Sequence, residues 1–354
     1  MPAQTKKAAA SVKDAASETP GYHNLIIATD FGDSVANAQI ELRFRSVLQW
    51  CLAEREKRQH MPKEVKLDKL TAPHPLPHTV HVDDIPFGNT DFAAHAIYTS
   101  FRSIGRTWPN IMIHVCDPGV GKGDDRRILI TDYGNAFIGP DNGSLGLIRA
   151  YFEDRGVETS LWQIDRHKIE ALEQHRMAEP SYHIPRTFHG RDVFAVAAGL
   201  LAGGIAPTYY AHKLDQPVEM SPFVAGMDNL PLRLRSPQSF LAFRDNTFGN
   251  LKTNLTTDTL TFNQLMEEQA TFRVTNAGAR RCCGLSVPRY TFGTSNVFAD
   301  QAPKQPLLYL GSTFAPEWDQ RILELAVNMD DAGAYLKVPS GYSAAVELII
   351  ERLS

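Results

Sequence analysis

Cysteine is scarce in this chain: Cys51, Cys116, Cys282 and Cys283 are its four, and no C-x-x-C pair occurs. That excludes a disulfide framework and the common zinc and thiol-redox spacings, and a reducing, cytoplasmic location is the expectation. Long apolar runs are missing too, since none approaches the roughly 20 residues of a membrane span and the N-terminus lacks the apolar core of a secretory signal. There is no basic excess: 36 Lys and Arg stand against 40 Asp and Glu, a net charge of -4, so neither nucleic acid nor a membrane surface is expected as a partner. No internal repeat and no G-x-S-x-G elbow are found. The G-V-G-K-G run at 119–123 continues into acids, which disfavours a nucleoside triphosphate loop.

What is present is a large apolar complement, 43% of 354 residues, enough for a sizeable core and two domains. The first residues, Met1 to about Gly21, are rich in Ala, Lys, Ser and Thr and cannot offset ordering entropy. We expect a disordered tail over 1–22, an α/β domain over 23–212 and a β-rich domain over 213–354, with the change of texture falling near residues 206–225. The α/β domain should hold a central mixed, mostly parallel sheet, and the second domain should be a small all-β barrel or sandwich.

The organising stretch is Ile113 to Leu147. It reads as a buried strand to Cys116, a glycine-broken loop carrying Asp117, strands at Ile128–Thr131 and Ala136–Ile138, and the acidic turn Pro140-Asp141-Asn142-Gly143. An apolar strand ending in an acid and glycines is how an α/β sheet presents a functional side chain at its carboxyl edge. Asn24 to Asp33 ends the same way, in two aspartates around a glycine. Helices are expected over about 34–57, 91–104 and 145–152, and short strands at Thr79–Val82 and Ser160–Ile164. His189 stands just ahead of an apolar helix, Val193 to Leu201, that stops at Gly203-Gly204, a setting in which free N–H groups favour negative charge. Beyond Pro207, β-rich runs at Leu241–Arg244, Thr259–Phe262, Ala270–Thr275, Leu307–Leu310 and Ala344–Ile350 alternate with turn residues.

His74, His78 and His81 beside Asp83 and Asp84 are of metal-ligating type. Pro75 and Pro77 split the first pair and forbid a shared helix face, so an ordinary loop is the better reading.

Five motifs occur in one order: T-D-F-G-D at 29–33, V-C-D-P-G-V-G at 115–121 followed by an Arg pair, G-P-D-N-G at 139–143, T-F-H-G-R-D at 187–192, and D-x-x-F-G-N-x-x-T-N from Asp245 to Asn254. Over about residues 24–354 the chain resembles the S-adenosyl-L-methionine hydrolases, also called S-adenosylmethionine hydroxide adenosyltransferases, which are related to fluorinases and chlorinases. The resemblance implies hydrolysis of S-adenosyl-L-methionine to adenosine and methionine by in-line attack of water or hydroxide on the ribose C5' carbon, without cofactor or metal. It implies a catalytic set of Asp117, Arg126 and His189, and His189 is of a type to accept or relay a proton. Asp30 matches the ribose-binding aspartate, Asp33 lies near a second acidic position, Phe87 is the best match for the stacking aromatic, and Asn142 belongs to the G-P-D-N-G turn. Asp245 and Asn250 match contacts to the methionine amino group and the adenine, and Ser312 lies in the glycine loop that touches both. A homotrimer with the ligand between subunits is likewise implied.

The chain departs from the family pattern in three places. Lys122-Gly-Asp-Asp125 lengthens the spacer before the Arg pair, leaving Arg126 or Arg127 as the catalytic candidate. Segments 54–69 and 311–321 also differ from the usual family pattern. Two other readings stay open: a non-catalytic adenosyl-ligand binder, and a halogenase. Against the halogenase, Asp117 and His189 are retained and Gly190 stands where the fluorinase pattern has serine.

Overall fold

The computed structural model describes residues 21–32, 34–57, 76–104, 109–120, 126–131, 133–225, 230–245, 249–276, 278, 289–298, 301–314, 320–339 and 345–354. Asp33, His74, the tail before residue 21, most of the 54–69 segment, the Lys122–Asp125 spacer and residues 315–319 lie outside them.

The N-terminal half is built on a seven-stranded sheet of order β2-β1-β3-β5-β4-β6-β7. Its strands are β1 (Asn24–Thr29), β2 (His78–Val82), β3 (Asn110–Val115), β4 (Arg126–Thr131), β5 (Ala136–Pro140), β6 (Thr159–Ile164) and β7 (Ala211–Leu214). The sheet is mixed, as expected. It is parallel from β2 through β1 and β3 to β5 and antiparallel from β5 through β4 and β6 to β7. Because β5 follows β4 directly, through a turn too short for a crossover, that pair has to run antiparallel.

Every residue of β3 is buried, the signature of a strand covered on both faces. Leu25, Ile27, Ile111 and Ile113 pack on one side with α1 (Val35–Lys57) and an apolar helix, α5 (Ala195–Ala202). Ile26, Ala28 and Met112 pack on the other side with α2 (Thr90–Ile104) and α3 (Gly146–Asp154). The period of two thus sorts neighbouring residues into two cores. A further helix, α4 (Arg166–Met177), follows β6, with Asp165 capping it through bonds from the His167 and Lys168 amides. The helix expected from Val193 starts three residues early, as a π turn (Gly190–Phe194) that leads into α5.

Between β7 and the barrel lies a short helix, α6 (Pro222–Ala225), whose Phe223 and Val224 join the α2–α3 core. The C-terminal half is a closed seven-stranded barrel in the order β10-β11-β12-β13-β9-β8-β14. Its strands are β8 (Gln238–Arg244), β9 (Leu251–Asp258), β10 (Thr271–Thr275), β11 (Arg289–Thr294), β12 (Pro306–Phe314), β13 (Gln320–Val327) and β14 (Val346–Arg352). Closure removes the sheet edges.

One expected strand is a helix. Thr259–Phe262 opens α7 (Thr259–Glu267), because the Asp258 carboxylate accepts a bond from the Thr261 amide at 2.7 Å and caps a helix there. The barrel also carries α8 (Ala332–Leu336), so the second half is not purely β.

The halves are packed together. Phe243 of β8 meets Phe92 and His95 of α2 and Phe223 of α6, with ring centroids 5.5, 6.0 and 4.9 Å apart. The Ala345 amide donates to Asp91 Oδ2 at 3.1 Å. Among the described residues, no helix is long and apolar enough to cross a membrane.

Candidate active site at the carboxyl edge of the sheet

The carboxyl ends of β1, β3 and β5 lie at one edge of the sheet. Because β4 is antiparallel to β5, with Arg126 opposite Pro140, the first residue of β4 lies there as well. Asp30, Asp117, Arg126 and the Asp141–Asn142 turn are therefore brought to a single edge by topology. Direct bonds tie the neighbours: the Asp30 amide donates to Val115 O at 3.1 Å, and Asn142 Nδ2 donates to Cys116 O at 2.8 Å.

His189 reaches the same edge from the π turn. A Cβ added to Gly190 would stand 2.9 Å from Val115 Cγ2 and 3.2 Å from Ile40 Cδ1, so the turn lies hard against the end of β3. This close approach is possible only because residue 190 has no side chain. The turn is seated by Asp192, fully buried, which accepts from Arg191 Nε and Nη2 at 2.8 and 2.7 Å and pairs with Arg43 of α1 at 3.3 Å.

Arg126 Nε and Nη2 both donate to His189 Nδ1, at 3.0 and 2.7 Å. Both residues are buried. Burial first, and then the Arg126 guanidinium, push the His189 imidazole down to about 4, so the ring is neutral near pH 7. A nitrogen that accepts from guanidinium carries no proton, and the ring's one proton must sit on Nε2. Nε2 is buried and has no hydrogen-bond partner among the described residues. Of the two arginines the sequence left open, Arg126 is the one that meets His189. Arg127 lies 3.7 Å from Asp141 Oδ2 instead.

Asp117 Oδ1 accepts from the Gly119 amide at 3.1 Å, which folds the loop back on its own carboxylate. Asp30 is buried, and its Oδ2 accepts from the Gly88 amide at 2.8 Å. Burial pushes the Asp30 carboxyl up, opposed by hydrogen bonds from that amide and from the Cys116 thiol. The same bond brings Phe87, an exposed aromatic, alongside the edge.

Two supports went unread in the sequence. Cys116 is a buried free thiol under Asp30. Asn37 accepts from Thr29 Oγ1 at 2.7 Å and donates to Gly32 O at 2.9 Å and Asp83 Oδ1 at 2.7 Å, pinning the loop that carries Asp30. The only signal for Cys116 was its place between Val115 and Asp117; Asn37 gave none.

The remaining candidates form a second polar group on the barrel. Asp245 and Asn250 close the β8–β9 turn through an amide-to-carbonyl bond of 2.7 Å. Asn250 Nδ2 donates to Tyr309 Oη at 3.0 Å, and Lys252 Nζ lies 3.9 Å from Asp245 Oδ2. Ser312 is exposed on β12. His78 and His81 lie on β2, where His81 Nε2 is 3.2 Å from Glu41 Oε2; among the described residues no group of three or more metal-ligating side chains gathers.

Residues 75–210, which hold Asp117, Arg126, Asn142 and His189, match the model of the SAM hydroxide adenosyltransferase N-terminal domain. Over that stretch the chain is similar to the SAM hydroxide adenosyltransferases. Within curated proteins, this chain is 29% identical over 239 residues to the (R)-S-adenosyl-L-methionine hydrolase of Thermus thermophilus, covering 65% of this chain and 73% of that one. It is 28% identical over 168 residues to the protein of the same name from Methanocaldococcus jannaschii, covering 48% of this chain and 51% of that one. Two crystal structures share the fold. An uncharacterized conserved protein from Thermotoga maritima gives a TM-score of 0.57 at 21% identity, covering 92% of this chain and 99% of that one. A conserved hypothetical protein from Thermus thermophilus gives 0.56 at 17% identity, covering 94% and 100%.

Proposed function

We propose that this chain hydrolyses S-adenosyl-L-methionine to adenosine and L-methionine. The observation that carries the reading is the convergence of Asp30, Asp117 and the Arg126–His189 pair on one sheet edge. The match of residues 75–210 to the SAM hydroxide adenosyltransferase N-terminal domain and the two relatives named (R)-S-adenosyl-L-methionine hydrolase support it, and they make the (R) sulfonium form the first to assay.

In this reading a water oxygen forms a bond to the ribose C5' carbon while the C5'–S bond breaks. The bonding pair passes to sulfur, the sulfonium becomes a neutral thioether, and methionine leaves. The water's proton goes to Asp117, the one proton acceptor of the three. Arg126 supplies positive charge, and His189 donates from Nε2 to the oxygen, rather than accepting its proton. Donors fixed before reaction spare the reorganisation that water would undergo. Holding the oxygen against C5' contributes on the order of 7 kcal/mol in favourable cases. Asp30 is suited to the ribose diol and Phe87 to stacking on the base, with Asp245, Asn250 and Ser312 reading the rest of the substrate across a trimer interface.

Gly190 favours hydrolysis over halogenation, since a serine there would drive its Cβ into Val115. The test is incubation of the purified protein with S-adenosyl-L-methionine and chromatographic separation of products, with Asp117→Ala and His189→Ala alongside. Equimolar adenosine and methionine, lost in both variants, are the expected result. Ligand binding without adenosine would replace the hydrolase by a binding protein.

A further inference from the structure

We propose that Asn37, acting with Asp83, is a positioning residue that staples two loops together and so aims the Asp30 carboxylate at the ribose diol of a nucleoside. The inference rests on the reading of Asp30 as the ribose contact. The first loop leaves β1 and carries Asp30; the second leaves β2, runs from Asp83 to Asn89 and carries Phe87. They meet at the carboxylate, where the Gly88 amide donates to Asp30 Oδ2 at 2.8 Å. Gly88 turns its amide that way at a φ of 68°, a left-handed value open to glycine.

One side chain joins the two loops. Asn37, buried in the first turn of α1, accepts from Thr29 Oγ1 at 2.7 Å and donates to Gly32 O at 2.9 Å and to Asp83 Oδ1 at 2.7 Å. Its partners therefore stand immediately before Asp30, shortly after it, and at the start of the loop that ends in Gly88. The far end of that loop is fixed as well, since Asn89 Oδ1 accepts from the Phe92 amide at 3.0 Å and caps α2. With both ends held, the Gly88 amide and the Asp30 carboxylate keep fixed places relative to each other.

Proton counting sets the orientation of the Asn37 amide. A carbonyl and a carboxylate only accept, so the two N–H groups of Nδ2 belong to Gly32 O and Asp83, and Oδ1 is left for the Thr29 hydroxyl. Exchanging oxygen and nitrogen would set Oδ1 against two acceptors. The staple thus has one arrangement, and a carboxylate held before the ligand arrives removes an ordering cost from binding.

The test is calorimetry with adenosine and with its dideoxy analogue, which lacks the ribose diol, on wild type, Asn37→Ala, Asp83→Ala and Asp83→Asn. Turnover of S-adenosyl-L-methionine by the wild type decides the hydrolase reading by itself, and nucleoside affinities do not depend on it. The wild-type preference for adenosine over the analogue should fall by about tenfold in Asn37→Ala, the scale of buried polar contacts left unpaired. It should fall by about threefold in Asp83→Ala and stay within about twofold in Asp83→Asn, whose Oδ1 still accepts from Asn37. A merely structural role would weaken both nucleosides alike. A preference that survives intact in Asn37→Ala or in Asp83→Ala would overturn the proposal. A wild type that binds the two nucleosides alike would instead remove the ribose reading of Asp30, and the proposal with it. Melting temperatures accompany each measurement; should Asn37→Ala fail to fold, Asp83→Ala, at a half-buried loop position, decides in its place.

Discussion

Arg126 spends two N–H groups on a single lone pair, His189 Nδ1, at 3.0 and 2.7 Å. That arrangement holds the imidazole neutral and leaves its proton on Nε2, which makes His189 a donor in the proposed reaction. Glutamine places an N–H near the Nε2 position and is a poor base, so it separates the two roles. His189→Ala should lower kcat by about 100-fold or more, the usual loss for one preorganised donor, whereas His189→Gln should retain at least a tenth of wild-type activity. Steady-state rates decide it: a glutamine variant as inactive as the alanine one would mean that His189 takes the proton.

Gly190 offers a steric prediction. Its missing Cβ would lie 2.9 Å from Val115 Cγ2, and Val115 is itself buried at the end of β3. Gly190→Ser should destabilise the protein by about 1–3 kcal/mol, as overpacking does. It should also shift the turn carrying His189, lowering hydrolysis without creating halide transfer. Urea unfolding and product analysis in chloride buffer check both parts. A stable variant that forms a chlorinated nucleoside would show that residue 190 alone selects the nucleophile.

Much of the edge was legible because its signals are local. An apolar run that ends in Asp30 or Asp117 states both a buried strand and its functional end within a few residues. What could not be read depends on distant partners. Choosing Arg126 over Arg127 needed the antiparallel turn of β4 that sets Arg126 opposite Pro140. The link from Lys252 to Glu324 spans 72 residues and joins strands whose pairing no local pattern reveals. Thr259–Phe262 misled because its β-forming residues follow Asp258, whose side chain caps a helix. Local propensity was outweighed by one capping bond.

Three buried histidines predict acid lability. Burial depresses His95 to about 3, His114 to about 4 and His189 to about 4, with Lys252 adding to the first and Arg126 to the last. The unfolded chain titrates near 6.5, so between that value and the folded ones it binds more protons than the native state, and stability falls as pH falls through the window. Each histidine should cost about 1.4 kcal/mol per pH unit below 6.5 until its folded value is reached. Melting temperature should be flat above pH 7 and decline from pH 6.5 to 4.5. His95→Phe, which keeps an aromatic beside Phe243, should reduce that decline by about a third, all three histidines contributing alike over most of the window. An unchanged slope would show that His95 does not take part.

Asp192 provides the last prediction, because it joins stability to the site. Its fully buried carboxylate receives two bonds from Arg191 and one ion pair from Arg43, and the residue lies within the π turn that follows His189. Arg43 also pairs with Glu173 at 3.0 Å, so removing Asp192 does not strand it, but Arg191 loses both of its bonds to that carboxylate. Asp192→Ala should cost about 1–3 kcal/mol, the range for lost hydrogen bonds when the partner left behind, Arg191, is partly exposed to water. Asp192→Asn keeps an acceptor oxygen and should cost less. Because the turn carries His189 toward Arg126, kcat should fall in both variants in the same order as stability. Denaturant unfolding beside steady-state kinetics tests this, and a destabilised Asp192→Ala with wild-type kcat would mean that Arg126 alone is enough to hold His189.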